Sequence, residues 1–179
     1  MKRVLIAGVG NVLLGDDGVG PYVACLLNSR YEFGEGVRVE DLGTPGLDLV
    51  VHLSDADTIL IVDCVSDTKP AGTITVYDRD AIVRHGASIR IDGHSPALTE
   101  SLMIAEFTSE EPKQIALIGI SGKPYDGVEL SPAVRAALEP AIDAVLHMLD
   151  SWNISYAAKQ TTSAPGVWWE ANSLETVTA

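Results

Sequence analysis

Residues 8–20, reading GVGNVLLGDDGVG, stand between an apolar run at residues 2–7 and apolar residues at helical spacing, Val19, Val23, Leu26 and Leu27. A buried strand that passes through glycines into a helix is a βα unit, so the chain opens as an α/β fold with its glycines and acids in the connecting loop. Such loops lie at the carboxyl edge of an open α/β sheet, where these folds place their ligand sites. A dinucleotide-binding loop also begins with glycines here. Its third glycine, however, belongs at position 13, which is Leu13, and a pyrophosphate would meet Asp16 and Asp17. Paired carboxylates suit a cation or proton chemistry instead.

Strand and helix patterns alternate through most of the chain. Residues 37–42 read as a second strand, and Thr44-Pro45 as the cap and first turn of a helix carrying Leu47, Leu49, Val50 and Leu53. Residues 59–62 form a continuous apolar run, the mark of a strand covered on both faces, and end in Asp63. Residues 73–77 alternate as an edge strand does. Ser95-Pro96 reads as a second cap-and-proline pair, residues 114–120 as another buried strand, and residues 131–149 as the longest helix, with Pro140 as a candidate kink. This order predicts a mostly parallel sheet of about five strands between two helical layers. The α/β pattern occupies residues 1–150, and 151–179 form a partly irregular C-terminal extension. Two of the three tryptophans, Trp168 and Trp169, lie there, and burial of apolar surface by this pair is the expectation set against a solvated tail.

A single domain of 179 residues buries a core without staples, and the two cysteines, Cys25 and Cys64, sit in apolar segments as reduced core thiols. Twelve basic residues against 25 acidic ones give a net charge of -13, which opposes binding to nucleic acid or to an anionic membrane. The start of the chain enters a strand at once and no apolar run reaches the length of a membrane span, so a cytoplasmic location is expected.

On this reading three polar groups fall at the carboxyl ends of different strands: Asp16 or Asp17 after the first, Asp63 after the third and His94 after the fourth. Two carboxylates and an imidazole are a ligand set for a divalent transition metal that leaves positions open for water or substrate. One acid of the first pair is expected to cap the following helix, with Asp16 favoured as the cap and Asp17 for function. Asp63 has the alternative of accepting loop N–H groups, and His94 that of a solvated loop residue. No G-x-S-x-G elbow, H-E-x-x-H motif or Walker loop is present. Cys64 reads as an inert thiol rather than a nucleophile.

GVGNVLLGDDGVG at 8–20, DLGTPGLDL at 41–49, IVDCV at 61–65 and GHSP at 93–96 together resemble the hydrogenase maturation proteases over residues 1–150. The resemblance implies a three-layer α/β/α sandwich of the phosphorylase/hydrolase-like kind. It also implies an endopeptidase that removes the C-terminal extension of a nickel-iron hydrogenase large-subunit precursor, with nickel supplied by that precursor. By the same resemblance Asp17, Asp63 and His94 recognise the metal and serve catalysis, by metal-assisted or aspartic-type hydrolysis. Position 17 carries Asp where Glu is frequent in that family. Two other readings stay open at this point: a metal- or ligand-binding module of the same fold that cuts nothing, and a nucleotide-dependent oxidoreductase with Asp41 as its ribose acid.

Overall fold

The computed structural model of the chain describes residues 2–85, 98–108 and 112–171. Its elements are β1 (Val4–Val9), α1 (Val19–Arg30), β2 (Tyr31–Phe33), β3 (Val37–Gly43), α2 (Leu49–Ser54), β4 (Thr58–Val65), β5 (Ile74–Asp78) and α3 (Arg79–His85). They continue with α4 (Leu98–Phe107), β6 (Gln114–Ser121), α5 (Pro132–Ala136), α6 (Leu138–Ser151), β7 (Tyr156–Ala158) and α7 (Trp168–Ala171). Short 3-10 turns, Asp16–Gly18 and Gly46–Asp48, lead into α1 and α2.

Five strands form one sheet in the order β3-β1-β4-β6-β5. The first four run parallel and β5 is antiparallel to β6. Every residue of β4 is buried, because successive side chains enter two different cores. Leu60, Val62 and Cys64 pack with Val23 and Leu27 of α1 and Ile142 and Val145 of α6. Ile59, Ile61 and Val65 pack with Leu53 of α2, Ile82 of α3 and Leu102 of α4. An apolar run with no alternation is thus the signature of a strand between two layers, and each such Leu or Ile contributes about 1.5–3 kcal/mol by leaving water. The result is the expected three-layer sandwich.

Glycines set how closely α1 lies on the sheet. A Cβ at Gly20 would stand 2.2 Å from the Val9 carbonyl oxygen and 2.4 Å from that of Val62, and one at Gly8 would stand 2.3 Å from the Gly20 carbonyl oxygen. These glycines serve backbone contact between helix and strands.

Three features differ from the sequence expectation, and a fourth adds a strand to the partly irregular extension. Pro45 occupies the N-cap position of the turn Gly46–Asp48 without a side-chain cap bond, so Thr44 does not cap a helix, and α2 begins only at Leu49. The helix expected over 131–149 divides at Ala137 into α5 and α6. Its start is as read: the Ser131 hydroxyl accepts the Val134 N–H at 3.4 Å, with proline in the first turn. Pro140 has no N–H to offer the Ala136 carbonyl, and the break falls there, leaving the proline in the first turn of a new helix. The chain does not end its ordered structure with that helix. β7 pairs antiparallel with β2, and Tyr31 meets Tyr156 edge to face at 5.9 Å. Finally, β5 runs antiparallel, so its carboxyl end lies at the opposite edge of the sheet from those of β1, β3 and β4. The cap pair Ser95-Pro96 lies outside the described residues, although α4 follows it. Among the described residues no helix is long and apolar enough to cross a membrane.

Candidate active site

The loop after β1 is held by backbone pairing as well as by its acids. Gly15 donates its N–H to the Gly127 carbonyl at 2.7 Å, Gly127 donates to Leu13 at 3.1 Å, and Tyr125 donates to Leu14 at 3.3 Å. The Tyr125 ring lies over Gly15, whose φ of 57° and lack of a side chain permit that contact; a Cβ there would come within 2.5 Å of the ring. The loop after β6 therefore clamps the loop after β1.

Neither acid caps α1, which corrects the expectation for Asp16. The N-cap of α1 is Gly18, without a side-chain bond. The Asp16 carboxylate instead accepts the Ser131 N–H at 2.7 Å and the Lys123 N–H at 3.3 Å, joining the acid loop to the start of α5. Asp17 Oδ2 accepts the Asn11 N–H at 2.7 Å, a bond that closes the loop on itself. Both side chains are buried. Asp16 fastens the loop to its surroundings, and Asp17 is held within it.

Asp63 is fully buried and lies inside β4, two residues before its end, rather than after the strand. It does fall just past the last pairing of β4 with β1, Gly8 opposite Val62, while β6 continues alongside it with Gly119. Alternation along β4 turns Asp63 toward the layer of Ile61 and Val65, whereas Asp17 comes in with α1 on the other face. The turn that carries Asp17 packs against β4.

The Cys64 thiol lies within the field of these acids. Its pKa is pushed far above the usual thiol value, first by burial and then by the negative charges of Asp63, Asp17, Asp16 and Asp67. A Cβ at Gly122 would touch both the Cys64 sulfur, at 2.8 Å, and the Asp16 Cβ, at 2.9 Å, so the thiol is packed against the acid loop. Cys64 stays protonated and is no nucleophile. Cys25 is also raised, by burial and then by Asp41.

His94 lies outside the described residues. Its expected place at the carboxyl edge, after the fourth strand of a parallel sheet, does not follow from the fold, because that strand is the antiparallel β5. Among the described residues no three His, Cys, Asp or Glu side chains are grouped so as to hold a metal.

The profile of a family described as hydrogenase maturation protease matches residues 21–148, well over half of the chain. The chain belongs to the hydrogenase maturation protease family. Its activity is that of a hydrogenase maturation endopeptidase acting at the C-terminus of the hydrogenase large subunit. Over 88% of its length it is 35% identical to the hydrogenase expression/formation protein HoxM of Azotobacter vinelandii, covering 77% of that protein. Over 82% of its length it is 34% identical to the hydrogenase 2 maturation protease of Escherichia coli, covering 90% of it. Its structure is similar to that of the hydrogenase maturating endopeptidase HybD of Escherichia coli, with a TM-score of 0.81 at 28% identity, covering 88% of this chain and 98% of the other.

For this protease the sequence reading passed over the groups that hold the acids. Asn11 supplies the N–H for Asp17, Tyr125 covers Gly15, and Lys123 and Ser131 supply N–H groups to Asp16. Backbone donors have no residue signature, and only the glycine at position 15 pointed to a close contact.

Proposed function

We propose that Asp17, Asp63 and His94 form the working site of this maturation protease, and that its substrate is a nickel-iron hydrogenase large-subunit precursor that already carries its nickel. The observation that carries this reading is the placement of two buried carboxylates toward the carboxyl edge of the sheet, Asp17 held by the Asn11 N–H in the loop after β1 and Asp63 just past the last pairing of β4 with β1. Open α/β sheets bind ligands there, where the strand order reverses between β1 and its two neighbours. The sequence also supports His94: its segment leads into α4, whose Leu98 and Leu102 share an apolar layer with the neighbours of Asp63. On this reading the turn after β1 and strand β4 supply the acids, and His94 is the third member of the set.

On this reading the nickel is part of the substrate, and the protease offers ligands that the precursor leaves unfilled. Binding fixes the scissile peptide against the acids. A carboxylate then takes a proton from water as its oxygen attacks the peptide carbonyl carbon, and returns the proton to the leaving nitrogen as the carbon–nitrogen bond breaks. The metal brought by the precursor polarises the carbonyl or the water. A cytoplasmic location belongs to the same reading.

Incubation with nickel-loaded and nickel-free precursor tests the reading. The loaded form alone is shortened, and Asp63→Asn and His94→Ala each lower the rate by about 100-fold or more while thermal melts show folded protein. Normal cleavage by either variant removes that residue from the site, and equal cleavage of both precursors removes the role of nickel.

A further inference from the structure

We infer that Trp168 is a specificity-determining residue: it forms one wall of a groove that receives a side chain of the substrate peptide beside the reacting bond. The inference rests on the function proposed above. The groove has a volume of about 190 Å³ and is bounded by Gly10, Asn11, Asp41, Thr44 and Trp168. That is small for a free ligand and fits one side chain. It is continuous with the acid loop, because the Asn11 N–H that borders it holds the Asp17 carboxylate. Gly43 also lines it, and a Cβ there would meet nothing within 4 Å, so this side of the groove faces open space.

The exposure of Trp168 is imposed by its neighbours. Trp169 is 2% exposed and meets Tyr22 of α1 edge to face at 5.1 Å, so the core position is already filled. Glu170 accepts the Tyr22 hydroxyl and pairs with Arg135 of α5 at 2.9 Å. Pinned by these contacts, Trp168 is 60% exposed at the mouth of the groove, its ring 5.7 Å from that of Trp169. An indole held in water next to a groove offers stacking and apolar contact, so the occupant is a flat or apolar side chain of an extended peptide.

The test uses the full chain and nickel-loaded precursor, with Trp168→Ala and Trp168→Phe compared with wild type. Loss of the indole raises KM by about tenfold with the change in kcat much smaller, and Phe restores most of the affinity. The fluorescence that wild type has and Trp168→Phe lacks becomes shielded from acrylamide when precursor is bound. Unchanged KM in Trp168→Ala, or unchanged quenching, overturns the inference. So does a chain ended after Ala171 that gains affinity, since the groove would then be held by the protein's own last residues. Failure of wild type to cut loaded precursor sinks the proposed function instead, and the two failures are distinguishable.

Discussion

Asp16 and Asp17 are chemically identical neighbours with separate tasks, and amide substitution separates them. Both oxygens of Asp16 accept backbone N–H groups, so Asp16→Asn turns one acceptor into a donor facing a donor and costs about 1–3 kcal/mol in urea unfolding. Asp17→Asn keeps an oxygen for the Asn11 N–H; it is expected to fold with a smaller loss and yet to cut precursor about 100-fold more slowly, while Asp17→Glu keeps more activity. Equal activity of Asp17→Asn and wild type would leave the charge without a role. Cys64 gives a third residue-scale outcome. Burial and the surrounding acids raise its pKa, so the folded chain keeps a proton that the unfolded chain releases above the ordinary value of 9.0. Its contribution to stability is complete below pH 9.0 and is lost as pH rises beyond it; at pH 8 a thiol reagent reaches Cys64 only after denaturation. Labelling of the native protein at Cys64 would contradict that.

At the scale of elements, α1 and the strands beneath it are placed by glycine. Gly20→Ala would drive a methyl group into the carbonyl oxygens of Val9 and Val62, backbone atoms that cannot swing aside as the end of a flexible side chain can. A loss of about 1–3 kcal/mol or more is expected from such overpacking, read as a lower denaturation midpoint at unchanged slope. A wild-type midpoint would mean that α1 can lift from the sheet. The same logic shows which elements were legible. β4 and β6 announced themselves by runs of apolar residues, and α5 by Ser131 and Pro132, because each signal is contained within a few residues. The direction of β5 was not legible, since its five alternating residues read alike whether they run with or against β6. That one ambiguity put the strand end before His94 at the wrong edge of the sheet.

Across the whole molecule, the C-terminal segment is part of the structure. Trp169 belongs to the core beneath α1 and α6, and β7 adds a strand to β2. Trp169→Ala is expected to cost about 3–5 kcal/mol in urea unfolding, the range of a buried aromatic removed from a core. A cost near zero would return residues 159–171 to the status of an appendage. The sequence by itself determined the class of fold, the two apolar layers, the acid loop and the pair of carboxylates, because hydrophobic period, glycine and proline positions and residue chemistry are local properties. Tertiary structure alone decided which groups hold the acids. Asp16 finds its donors at Lys123 and Ser131, 107 and 115 residues away, and Glu170 closes on Tyr22 from 148 residues away. Contacts of that separation leave no pattern along the chain, since they exist only once the layers have packed and brought the loops of different strands to one edge.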